Sequence, residues 1–192
     1  MRLWTIQPPE ILDIINETGR FVCDKEKSYW YDCEEFQRAY EWMIAQMHMH
    51  RIFQPYDTTW PIWAWHTHNW KHKKPDFRCI GLGKPGKKYV CIEIEIPDDE
   101  VLLSDYDAWH VVLNNGYNNP GTIEEEWEAF DIYYDSMENQ YAKELTRVAS
   151  WNGIFNVEPF KNEFVSNGKY VQAVFWEIKK ENIISVKEFT AR

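Results

Sequence analysis

Arg2-Leu3-Trp4-Thr5-Ile6 alternates β-type residues and reads as a short strand, and Pro8-Pro9-Glu10 directly after Gln7 suits the first turn of a helix. Ile11, Leu12, Ile14 and Ile15 give that helix an apolar face, and Gly19 stands where a left-handed C-terminal residue ends it. A strand and a helix this close to the start argue for a mixed architecture. The other end of the chain agrees. Lys169–Ile178 reads as a strand, Lys180–Asn182 as a turn, and Ile183–Phe189 as a last strand.

The intervening sequence supplies the rest. Asp32-Cys33-Glu34-Glu35 resembles a capping box, and Phe36, Tyr40, Met43, Ile44 and Met47 then form one stripe of a long amphipathic helix ending near Arg51. Ile62–His66 predicts a strand with Trp63 and Trp65 on one face and Ile62 and Ala64 on the other. Asp76–Leu82 and Lys88–Ile96 predict two strands joined by a Gly-Pro-Gly turn. Val101–Leu103 is a short apolar segment, and Tyr106–Asn114 predicts a helix. Thr122-Ile123-Glu124-Glu125 predicts the start of another, running on towards Leu145 with Trp127, Phe130, Tyr134 and Met137 as its core stripe. The sum is a single α+β domain over residues 1–192. Its sheet is mixed and mostly antiparallel, with the long helix and further helices packed on it.

Composition narrows the function. The chain has 192 residues, 44% hydrophobic and 17% aromatic, with a net charge of −10. Aromatics this dense supply a core and exclude disorder. No apolar run approaches a membrane span, and the negative charge disfavours duplex nucleic acid. No signal peptide is visible, and Cys23, Cys33, Cys79 and Cys91 form no Cys-x-x-Cys pair, so a cytoplasmic chain with reduced thiols is expected. The charge is segregated. Residues 1–96 sum to zero, and residues 97–192 carry 8 bases against 18 acids. Lys71 to Lys88 holds seven bases with Asp76 the single acid, whereas Tyr89 to Ala142 holds fourteen acids and no Lys or Arg. The acidic stretch is either a solvated face or a dock for a basic protein partner, and the basic ribbon is able to hold an anion.

Three constellations bear on chemistry. Gly81-Leu82-Gly83-Lys84-Pro85-Gly86 matches G-x-G-x-x-G, but strand-like residues follow it, so it reads as a turn rather than a dinucleotide fingerprint. His66, His68 and His72 lie close together, with His66 and His68 on one strand face. Adjacent lysines work against a dication, so no metal is expected and a polar rim or acid–base role remains. Trp60, Trp63, Trp65 and Trp70 crowd next to the basic ribbon. They are either core or a stacking platform for a base or nicotinamide ring. Near the C-terminus, Gln172 and Glu177 fall on opposite faces of a regular strand. Glu177 either orients a ribose hydroxyl, acts as a base, or is an edge carboxylate paired with Lys179 or Lys187.

Two resemblances add to this. Leu3-Trp4-Thr5-Ile6-Gln7, Pro61-Ile62-Trp63-Ala64-Trp65, Lys74-Pro75-Asp76, the run from Ile96 to His110, Ser150-Trp151 with Ile154-Phe155, and Val171-Gln172-Ala173 with Phe175-Trp176-Glu177 resemble an uncharacterised bacterial domain family. The strand and helix from Trp4 to Gly19, and the closing strands at Val171-Gln172-Ala173 and Ile183–Val186, are similar to ADP-ribosyltransferase-like folds. That second resemblance implies an NAD-binding enzyme. Trp4, Thr5, Trp63, Trp65 and His66, with Arg78 from the basic ribbon, would line the cleft. Glu177, or Gln172, would stabilise the oxocarbenium-like ribose. The alternatives are an acidic interaction protein docking on a basic partner through residues 89–142, and a nucleotide or RNA-end binding module using the Trp-rich and basic segments.

Overall fold

The computed structural model describes residues 1–27, 33–78 and 81–192. The elements run β1 (Arg2–Gln7), α1 (Ile11–Thr18), β2 (Arg20–Val22), α2 (Glu34–Met49), β3 (Ile62–His68), β4 (Lys88–Glu95), β5 (Leu102–Asp105), α3 (Tyr106–Leu113), α4 (Glu124–Asp135), α5 (Gln140–Ser150), β6 (Phe160–Lys161), β7 (Ser166–Asn167), β8 (Tyr170–Phe175), β9 (Glu177–Lys179) and β10 (Ile183–Thr190). Six strands form the main sheet in the order β10-β4-β1-β3-β8-β5, and β2-β9 and β6-β7 form two small ribbons. The architecture is α+β. Every strand pairing is antiparallel, so the sheet is not mixed.

Strand alternation sends apolar side chains to both faces, and each face has its own cover. On one, Leu3, Ile62, Ala64, Val90, Ile92, Ile94, Ala173 and Phe175 pack with Ile11 and Ile15 of α1 and Ile178 of β9. On the other, Leu102, Val174 and Trp176 pack with Ala39, Met43 and Met47 of α2, Trp109 and Val112 of α3, and Trp151 and Ile154. Gly19 ends α1 at φ 83°, a conformation that disfavours a Cβ, and its carbonyl accepts from the Lys180 amide at 2.8 Å. This turn brings β2 alongside β9.

Several expectations are corrected. The strand predicted over Asp76–Leu82 does not form at its described residues, and Cys79 and Ile80 lie outside them. The reason is topological. β1 and β10 occupy both edges of β4, leaving no backbone for a hairpin partner. The Gly81–Gly86 stretch is a turn that leads into β4. Its Gly86 amide donates to the Ala191 carbonyl at 2.9 Å. The predicted strand Lys169–Ile178 divides at Trp176, where the chain leaves the main sheet for the β2-β9 ribbon. The helix from Thr122 stops at Asp135, and Asn139 caps a separate α5 by accepting from the Ala142 amide at 3.1 Å. No residue of α4 is buried, so the stripe read as core is half-exposed instead. Asp32, read as the start of the α2 capping box, lies outside the described residues.

Candidate functional site

One part of the second sheet face carries no helix. Register sets it up: Trp4 lies opposite Glu93 and Arg2 opposite Glu95, so Arg2, Trp4 and Glu93 project from the same side of β1 and β4. The chain then covers this area with the segment that follows β3. Asn69 and Trp70 both have positive φ (54° and 57°), and the His68 amide donates to the Lys71 carbonyl at 2.9 Å, closing a tight reverse turn. Positive φ is strained for a ring as bulky as Trp70. Its indole nitrogen donates to the Asn167 carbonyl at 3.1 Å, its amide donates to the Lys169 carbonyl at 3.0 Å, and Lys161 and Lys169 lie over the ring.

The turn lays His72 back on β1. Its Nε2 is 2.8 Å from the Arg2 carbonyl, its ring meets Trp4 edge-on at 5.3 Å, and it stacks on His66 at 4.2 Å. Lys73 and Lys74 follow, both exposed. Arg2, Trp4, His72, Lys73, Lys74 and Glu93 line a cleft of about 460 Å³. Arg2 is 3.6 Å from Glu93, which also accepts from the Ser185 hydroxyl at 2.7 Å. Among the described residues, Lys73 and Lys74 have no carboxylate partner. Burial, with His72 alongside, pushes the His66 pKa down to about 4, against the pull of Asp98. The cleft thus offers three cations, an aromatic floor and one carboxylate, with a neutral His66 beside it.

The other residues singled out in the sequence divide by strand alternation and local pairing. Trp65 lies opposite Trp4, and Gln172 lies opposite both Trp65 and Ser104, so these residues share a row across one sheet face. The Gln172 Nε2 and Ser104 Oγ atoms are buried without a hydrogen-bond partner. Trp65 packs on Tyr106 at 4.9 Å. Trp63 is on the same face but beneath the helices, against Tyr40 at 5.7 Å and Trp109 at 4.9 Å. Trp60 stacks on Tyr40 at 4.8 Å. Thr5 points to the opposite face, where its hydroxyl donates to the Trp63 carbonyl at 2.8 Å and accepts from the Gln7 side-chain Nε2 at 2.7 Å. It therefore does not line a cleft with Trp4. Arg78 is gripped by Asp76, with Nη2 to Oδ2 at 2.6 Å.

Glu177 opens β9, away from the cleft-lining set, and is held by Arg20 at 2.9 Å and Lys179 at 3.2 Å. The residue is an ion-paired ribbon carboxylate in this arrangement. A bulge between Trp65 and Thr67 breaks the alternation that would have put His66 and His68 together. His68 packs instead on Tyr170 at 5.1 Å. No group of three or more metal-ligating side chains forms among the described residues. Of the cleft residues, Trp4 had a sequence signal through the two resemblances, His72 through the histidine cluster, and Lys73 and Lys74 through the basic ribbon. Arg2 and Glu93 had none.

A family model for a domain of unknown function, DUF3841, matches residues 2–184. The chain belongs to the DUF3841 family. Comparison with curated proteins and with solved structures gives no match. All six cleft residues of this DUF3841 domain fall inside the matched span. No helix among its described residues is long and apolar enough to cross a membrane.

Proposed function

We propose that this DUF3841 domain binds a nucleotide in the cleft of Arg2, Trp4, His72, Lys73, Lys74 and Glu93. The observation that carries the reading is the convergence of three cationic side chains on an aromatic floor, in a chain whose net charge is −10. The cleft volume lies within the range of about 300–1,000 Å³ typical of small-molecule sites. Lys73 and Lys74, free of carboxylates, are the phosphate-binding pair, with Arg2 as third cation. His72 and the edge of Trp4 pack against the base, and Glu93 accepts from ribose hydroxyls.

NAD is one ligand of this chemistry, and the ADP-ribosyltransferase-like resemblance makes it a natural first choice. Transfer from NAD needs a carboxylate beside the ribose as positive charge develops. Within the cleft that carboxylate is Glu93, because Glu177 is engaged by Arg20 and Lys179.

Isothermal titration with ADP, NAD and inorganic phosphate tests the reading. ADP or NAD should bind, Lys73→Ala combined with Lys74→Ala should weaken binding by about tenfold or more, and Glu177→Gln should leave it unchanged. Affinity indifferent to the two lysines, or no heat at millimolar nucleotide, overturns it. Nicotinamide release by the wild type, abolished in Glu93→Gln, would add catalysis to binding.

A further inference from the structure

The helices α4 and α5 line no part of the cleft, and Lys143 at the start of α5 ties the two together through Asp135 and the Tyr134 ring. Neither has a buried residue. At 3.6 residues per turn, Ile132, Ala129, Tyr133 and Phe130 fall on one side of α4, with Glu125 and Glu126 of its first turn on the same side. Ile132 is 70% exposed and Tyr133 58%. On α5, Tyr141, Leu145 and Ala149 recur every fourth residue on one face, with Tyr141 74% and Leu145 52% exposed. Helices of a folded domain normally turn such arcs inward. Here the inner contacts of α4 are few and local: Trp127 on Phe164 at 5.7 Å, Tyr134 on Tyr117 at 4.3 Å, and Asn119 donating to the Trp127 carbonyl at 2.9 Å.

Charge indicates what covers these arcs. Glu124, Glu128, Asp131 and Asp135 form the arc of α4 next to its apolar one, and no Lys or Arg occurs from Tyr89 to Ala142. The two bases of α5 are spent within the hairpin. Lys143 reaches Asp135 at 3.4 Å and lies over Tyr134, and Arg147 pairs with Glu144. A symmetric pairing of two copies through this face would set acidic arc against acidic arc.

We propose that the α4–α5 surface docks a basic amphipathic helix of another protein. The apolar side of that helix would cover Phe130, Ile132, Tyr133, Tyr141 and Leu145, and its Lys and Arg residues would meet the acidic arc. This is helix-on-helix recognition, in which apolar anchors give the affinity and charge gives orientation and choice of partner.

The probe is a fluorescein-labelled peptide of leucine and lysine patterned as an amphipathic helix, with a glutamate-for-lysine version as control, read by anisotropy. The lysine peptide should bind and the glutamate peptide should not, with affinity falling between about 50 mM and about 300 mM salt. Ile132→Ser with Leu145→Ser leaves the charge unchanged and should weaken binding about tenfold. Glu124→Lys with Glu128→Lys should reverse the preference between the peptides. Circular dichroism checks that each variant is folded, and the milder Tyr141→Ser gives a second reading. Equal binding by the serine variant would reduce the interaction to unspecific charge attraction and overturn the proposal. So would equal affinity for both peptides. A dimer in sedimentation velocity that the serine variant dissolves would assign the surface to a second copy and overturn it as well.

Discussion

His66 is neutral in the folded protein at pH values where a free histidine is charged. Its folded pKa is about 4, against about 6.5 in an unfolded chain. Between these values the unfolded state binds more protons, so stability rises with pH across that window. The contribution is complete above about pH 6.5 and is lost as the pH falls through about 4. Because His66 is only half-buried, solvent screening leaves roughly 1 kcal/mol of it. Between pH 7 and pH 4.5 (approximate limits set by those pKa values), the melting temperature of the wild type should therefore fall about 2–4 °C further than that of His66→Asn. Equal falls would mean that burial, with His72 alongside, does not hold the ring neutral. Glu177 makes the complementary case. Its two cations suit a structural carboxylate, so Glu177→Gln should lower the melting temperature by about 2–4 °C, equivalent to ~1 kcal/mol. Nucleotide affinity should not change. A loss of affinity without a loss of stability would return Glu177 to the site.

At the scale of elements, Asp105 joins three parts of the second layer. It is buried at the end of β5, its Oδ1 caps α3 by accepting from the Asp107 and Ala108 amides at 3.0 Å, and its Oδ2 accepts from the Gly168 amide at 2.8 Å. Asp105→Ala removes a cap and leaves a buried N–H without a partner, which should cost about 2–4 kcal/mol in urea unfolding. Asp105→Ser should recover the cap but not the Gly168 bond. A cost below ~1 kcal/mol would mean that the loop before β8 finds other partners. The sequence made elements of this kind legible wherever one signal sufficed. Alternation in Arg2–Ile6, the stripe from Phe36 to Met47 and the glycine after Thr18 each identified the observed element. What it did not reveal depends on neighbours. The hairpin expected before β4 fails because β1 and β10, distant in sequence, occupy both edges of β4. The α4 stripe has helical spacing, but spacing does not show whether anything lies opposite. The site follows the same division. The lysines announce themselves as a cluster, whereas Arg2 and Glu93 meet only through the β1–β4 register.

For the whole molecule, charge is sorted in space as well as in sequence. The cationic cleft draws on β1 and the segment after β3, in a chain whose net charge is −10. Acids also stand close by. Asp98 holds the N-terminal amine at 2.8 Å and acts on His66, and Asp99 and Glu100 follow it. On the proposed reading, a ligand with one or two phosphates would be met by Arg2, Lys73 and Lys74. On the nucleotide reading, a long polyanion that reached Asp98, Asp99 and Glu100 would meet repulsion there instead of counterion release. The nucleotide reading thus predicts discrimination by length. In low salt, where surface attraction is strongest, a duplex of about two helical turns should show no gel retardation at protein concentrations that saturate with ADP. Adding the duplex should not displace bound nucleotide. Retardation that is abolished by Lys73→Ala with Lys74→Ala would show that the basic ribbon extends far enough to carry a backbone, and the cleft would then be one end of a longer nucleic-acid track.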